Sequence, residues 1–115
     1  MTDLPPGQWS PLLVGLYWPG ADSVMSAINA VEVGSRLVDA GLATADALRA
    51  IELLRVPTIA FTEDLARIAI ALRPATRAYG LSLADRACLA LAIRDGATAL
   101  TADRAWAKLD VGCRI

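Results

Sequence analysis

The sequence predicts an α/β layer structure, and three observations carry that expectation. Stretches of helical length with apolar residues three and four apart recur along the chain. Between them lie short β-branched runs, Val56–Phe61, Ala97–Ala102 and Val111–Ile115. The connections are long enough for crossovers, so the strands are expected to form a central parallel sheet covered by helices. A chain of 115 residues, 56 % hydrophobic and 20 % charged, has the size of one domain and is too apolar for a disordered segment.

Taken in order, residues 1–25 form an atypical amino-terminal segment of that single 1–115 domain, dense in Pro and Gly up to Gly20. Ser26 can cap a first helix in which Ile28, Val31 and Val38, with Ala30, Val33 and Leu37, make a broad apolar stripe ending at Gly41. Thr44 opens a second helix through Leu54. Pro57 interrupts Val56–Phe61, which places that strand near an edge. Thr62 caps a third helix whose buried face is Leu65, Ile68, Ala69 and Leu72; Pro74 should kink or split it, and Gly80 ends it. Ser82 starts a fourth, Leu83–Arg94, closed by Gly96 and apolar all round, hence buried on several sides. Ala97–Ala102 follows as a strand, Asp103–Leu109 as a short helix and Val111–Ile115 as a last strand.

Composition removes several chemistries. There is no histidine, so Ser-His-Asp and Cys-His catalysis and imidazole-ligated zinc are excluded. Cys88 and Cys113 are too few for a Cys₄ cage or a disulfide framework, and they read as inert thiols in a reducing compartment. The uncharged stretch Leu4–Ala21 carries too many breakers to span a membrane and has no basic region before it, so a soluble, cytoplasmic protein is expected. A net charge of −1 gives no overall basic field. Ten arginines and the single Lys108 make up the 11 cations, which suits bidentate contact with phosphate and equally suits a coding bias.

Catalysis must then rest on carboxylates, hydroxyls, cationic side chains or an oxygen-held metal. Three acids stand out. Asp103 follows the apolar run Thr98–Ala102 at the carboxyl end of a strand, where α/β sheets collect reactive groups, and is also a natural helix cap. Asp85 closes an S-x-x-D box with Ser82 at the head of the buried helix. Glu32 sits one turn before Arg36, its ordinary helix ion-pair partner. Converged, the three could hold Mg²⁺ or Mn²⁺, which take oxygen ligands and assist phosphodiester hydrolysis.

The motifs around these acids resemble those of PIN domains. S-A-I-N-A-V-E-V (Ser26–Val33) with the following S-R-L-V-D-A-G looks like the second acidic motif, Gly80–Ala92 the third and L-T-A-D-R-A-W (Leu100–Trp106) the fourth. Their order and spacing, over about residues 26–115, are similar to VapC-type toxins of toxin–antitoxin pairs. That resemblance implies a PIN-like three-layer α/β/α fold and a Mg²⁺-dependent endoribonuclease, with Mn²⁺ as a substitute. It also implies a homodimer silenced by a cognate VapB-type antitoxin. Glu32, Asp85 and Asp103 would be the metal-binding and catalytic acids, with Asn29 and Thr101 as polar supports. Arg73, Arg77, Arg86 or Arg104 would contact the RNA backbone, against the simpler reading of a solvated face.

The sequence departs from the pattern at its start. Where the family has a strand running into an aspartate, the nearest match is Q-W-S-P-L-L, with Gln8 in the acid's place; Asp3 is the other early acid before Asp22. The first strand and its acid are therefore missing or rewritten. That opens a second reading, a catalytically impaired PIN-like module that dimerises or binds an antitoxin. A phosphoacceptor receiver domain would need paired acids after its first strand, and none occur.

Overall fold

A computed structural model describes residues 16–18, 23–100 and 109–115. Four short strands, β1 (Leu16–Trp18), β2 (Val24–Ser26), β3 (Thr58–Ile59) and β4 (Thr98–Leu100), form one sheet in the order β3-β2-β1-β4. Among the described residues five helices accompany it: α1 (Ala27–Asp39), α2 (Thr44–Leu53), α3 (Glu63–Ala71), α4 (Arg73–Thr76) and α5 (Leu83–Asp95), with a 3₁₀ turn at Arg77–Tyr79. The α/β class expected from the sequence is therefore what the chain adopts. None of the helices among the described residues is long and apolar enough to cross a membrane.

Parallel pairing is seen between β2 and β3, in the register Met25↔Thr58 and Ser26↔Ile59, with α1 and α2 forming the crossover. The wholly parallel sheet expected from the sequence needs amending at β1, which runs antiparallel to both β2 and β4. Connection length explains the difference. β1 ends at Trp18 and β2 begins at Val24, too close in sequence for the dozen or more residues that a parallel return requires. Neither β1 nor β2 is predicted by the sequence pattern. β3 lies at the sheet edge, as Pro57 implied, and the Pro57 carbonyl accepts from Met25 N at 3.0 Å. At the other end the chain returns alongside β4: Ala99 N donates to Arg114 O at 2.9 Å, where Val111–Ile115 was expected as a strand.

Helix α5 is the centre of the molecule. Ala84, Ala87, Cys88, Leu89, Ala90, Leu91 and Ala92 are all buried on it, against α1, α3 and three of the strands. Its alanines let backbones approach from several directions while Leu89 and Leu91 fill the space between Leu65, Leu72, Leu81 and Ala99. Pro74 splits the third predicted helix at Leu72, giving α3 and α4, and Thr76 Oγ1 donates to the Leu72 carbonyl at 2.8 Å. The α1–α2 hairpin has a smaller core of its own, Val33, Leu37 and Ala47 with Leu42, Ala50 and Ile51 around them.

The buried face of α1 corrects the expected stripe. Asn29, Val33 and Leu37 point inward at four-residue spacing, whereas Val31 is 66 % exposed and Val38 also lies on the surface. Thr62 occupies the N-cap of α3 as expected, yet makes no cap bond to the backbone; its hydroxyl donates to the Asp64 carboxylate.

Candidate metal centre

Glu32 and Asp85 reach the same junction from different elements. Ser26 stops β2 and starts α1, its hydroxyl accepting from Ile28 N at 3.2 Å. Two turns later Glu32 lies beside the buried line of Asn29, Val33 and Leu37, with a quarter of its side chain (25 %) exposed. Asp85 sits in the first turn of α5 and completes a capping box: its Oδ2 accepts from Ser82 N at 2.9 Å, and Ser82 Oγ accepts from Asp85 N at 3.2 Å. The box occupies Oδ2 and leaves Oδ1 out of it. The cap that the sequence implied for Asp85 is thus real, and it fixes the carboxylate at a helix head, where the dipole favours negative charge.

Asn29 ties the two helices together. Its side chain is 1 % exposed, and Nδ2 donates to the Ala84 carbonyl at 2.8 Å across 55 residues of sequence. Ala84 immediately precedes Asp85, and Asn29 lies one turn before Glu32, so this bond brings the two acids to one seam between α1 and α5. The electrostatics record it. Burial raises the Glu32 pKa, the Arg36 guanidinium pulls it down, and the charge of Asp85 pushes it up again, with a raised value as the outcome. Arg36 approaches Glu32 only to 3.9 Å and is itself largely in water, so the expected ion pair is present but weak.

The donors at this seam suit a hard divalent cation. They are the carboxylates of Glu32 and Asp85, with no imidazole anywhere in the chain; Asn29 Oδ1, behind them, is buried without a hydrogen-bond partner among the described residues. Among the described residues no three acids or thiols form a cluster able to hold a metal. Asp103, expected as the third acid, lies outside the described residues, as do Thr101, Arg104, the helix Asp103–Leu109 (up to 108), Gln8 and Asp3.

The cationic residues separate into two kinds. Arg73 and Arg77 are exposed on and after α4, free to meet a polyanion. Arg86, a candidate RNA contact by the resemblance, is half-buried, and its Nη1 donates to the Ala69 carbonyl at 3.1 Å, bracing α5 against α3. Burial pushes the Cys113 thiol up, which keeps it protonated, and Cys88 is fully enclosed in α5.

A second feature lies on the far side of α1. The exposed faces of α1 and α2 enclose a groove of about 660 Å³, floored by Ala30, Gly34 and Ala47 and walled by Val31, Val38 and Leu48. Gly34 is what lets the helices close: a Cβ there would stand 3.1 Å from Ile51 Cδ1. The charged residues lining the groove are Asp39 and Glu52, both acidic.

The sequence model of the PIN domain matches residues 11–112, which extends the likeness seen from Ser26 onward back across β1 and β2. No curated protein and no solved structure matches the chain. A family match over nearly the whole length, on an α/β fold with acids gathered where two helices meet, has one reading: the chain belongs to the PIN domain family, whose members are generally metal-dependent nucleases acting on nucleic acids.

Proposed function

We propose that this protein is a Mg²⁺-dependent endoribonuclease of the VapC type, the toxin of a type II toxin–antitoxin pair, built as a single domain over residues 1–115. The observation that carries the reading is the Asn29–Ala84 bond, which sets Glu32 and Asp85 against each other at the head of α5. Glu32 and Asp85 hold the cation, with Asp103 as the third acid and Mn²⁺ as an alternative to Mg²⁺. The bound ion supplies charge neutralisation at the scissile phosphodiester. The chain's own groups do the rest: the acids orient water for in-line attack, and the exposed Arg73 and Arg77 grip the phosphate backbone. Cleavage of a total-tRNA pool by the purified protein in Mg²⁺ and in Mn²⁺ tests this. Cleavage lost on chelation and in Asp103→Asn is the expected result, and no cleavage by folded protein would overturn it.

That negative result would favour the second reading, a non-catalytic PIN-like module, for which Gln8 in place of the family's first acid is the specific support. In both readings the groove between α1 and α2 receives the antitoxin, as an apolar helix flanked by basic residues that complement Asp39 and Glu52. A synthetic Leu-striped helix with flanking lysines should bind the protein, and Val31→Asp or Leu48→Asp should abolish binding without unfolding it. If those substitutions instead convert a concentration-dependent dimer to monomer and leave peptide binding unchanged, the groove belongs to a second copy of the chain.

A further inference from the structure

We infer that Asn29 is a positioning residue that sets the gap between Glu32 and Asp85, rather than a residue retained for stability. The inference rests on the metal-site reading above and assigns the device that assembles it. An interior position on a four-residue stripe with Val33 and Leu37 is one that an apolar side chain would fill without cost. A buried amide there carries a penalty for each unmet polar atom, and Asn29 Oδ1 has no partner among the described residues. What the side chain secures in exchange is a single directed bond, 2.8 Å from Nδ2 to Ala84 O.

The carbonyl it reaches makes a stability role weak. Ala84 is the second residue of α5, and α-helical geometry already pairs its C=O with the N–H four residues on, at Cys88. Asn29 is therefore an additional donor to a satisfied acceptor. Losing it strands nothing. It acts instead on place: the bond fixes the rotation and height of α1 against the first turn of α5, the turn that carries Asp85, from a point one helical turn before Glu32. The apolar residues of the α1 stripe, Val33 and Leu37, pack with Ala47 of α2, so the Asn29 bond is a directed contact that ties α1 to the first turn of α5. Outer residues that orient metal ligands in this way typically govern affinity by 10- to 100-fold.

The test is Mn²⁺ affinity measured on the full chain by the electron paramagnetic resonance signal of the free ion, beside thermal melts in chelator. Asn29→Leu is the decisive variant, because Leu has the same branched heavy-atom skeleton and no polar atom. The expected result is a Mn²⁺ dissociation constant raised roughly ten-fold or more, with a melting temperature unchanged or higher. Asn29→Gln, which keeps an amide donor on a longer arm, should recover part of the affinity. Asn29→Leu binding Mn²⁺ as tightly as the parent overturns the inference while leaving the metal site standing. So does a loss of affinity that tracks a loss of melting temperature. If Asn29→Leu does not fold, Asn29→Ala is judged by the same two readouts, and failure of both to fold assigns Asn29 a structural role. A parent protein that binds no Mn²⁺ removes the metal-site reading itself, and this inference with it.

Discussion

Helices α5 and α2 are both regular and both apolar on at least one face, yet they are held in place by different means. α5 begins with a reciprocal Ser82–Asp85 capping box and ends at Gly96 with φ 64°, and seven of its residues are buried among α1, α3 and the sheet. α2 begins at Ala43, which offers no side-chain cap, and is followed by Arg55 in the left-handed region at φ 54°. Its buried residue is Ala47, while Leu48 is 59 % exposed and Leu53 is exposed as well. Every local feature of α5 agrees with its final position. The features of α2 agree with a position that is only half filled, with its outer apolar face left exposed. Burial is concentrated in α5, and the α1–α2 arm carries exposed apolar surface.

The largest expected effect breaks this contrast at its centre. Leu89→Ala, at a site with no solvent exposure, should cost about 2–5 kcal/mol, enough to lower the melting temperature by roughly ten degrees or more. Leu48→Ala should stay within about 0.5 kcal/mol. Chemical denaturation of the two variants side by side checks it. Comparable losses would mean that the groove is part of the folding core and not a surface held open for a partner.

The helix ends offer a smaller effect with opposite signs in the two regions. Ser82→Ala removes one half of the capping box and should destabilise by about 1 kcal/mol. Arg55→Gly should do the reverse, stabilising by roughly 0.5–1 kcal/mol, because glycine enters the left-handed conformation without a Cβ clash. Urea midpoints at a fixed slope resolve both. A destabilised Arg55→Gly would show that the arginine side chain has a role at the end of α2 that outweighs its backbone strain.

The same contrast explains what was legible in the sequence. The ends of α5 were marked by residue types that have one local use, Ser before the first turn and Gly after the last, and Pro74 split α3 from α4 where it had to. The inward face of α1 was not legible, because Val31 and Val38 are as apolar as Val33 and Leu37; hydrophobic periodicity does not distinguish a core face from an apolar face left exposed. Asn29 was marked by the resemblance as a polar support, but its partner, the Ala84 carbonyl, is visible only in the structure. β1 and β2 escaped for another reason. At three residues each they carry no readable alternation, and Ser26 belongs to β2 and caps α1 at once. Antiparallel pairing of β1 follows from the length of one connection, a quantity that has meaning only once both strand ends are known. The pairing of Glu32 with Asp85 was suggested by motif order, but the bond that makes them neighbours joins a side chain to a backbone carbonyl, and no sequence pattern encodes such a partner.

The smallest effect falls at the seam where α5 meets α1. Glu32 has a folded-state pKa raised above its ordinary 4.5, chiefly by burial and further by the charge of Asp85, against the opposing pull of Arg36. A carboxyl that holds its proton more tightly when folded contributes stability that is fully present below its unfolded pKa and is lost as pH rises through the folded value. At neutral pH the ionised side chain is therefore a net burden on the fold in the absence of metal. Glu32→Gln removes the charge and keeps the shape, so in chelator its melting temperature should exceed the parent's at pH 7. The two should converge as pH falls below about 4, where the parent carries the proton anyway. The Arg36 contact that the substitution also removes is long and mostly solvated, too weak to reverse the sign. A variant less stable than the parent at pH 7 would mean that Glu32 is stabilised by Arg36 more than it is repelled by Asp85. The two acids would then be too far apart to compete for one ion. A more stable variant would show that the ionised Glu32 of α1, facing Asp85 in the first turn of α5, costs the fold stability, as a carboxylate kept for binding rather than for packing would.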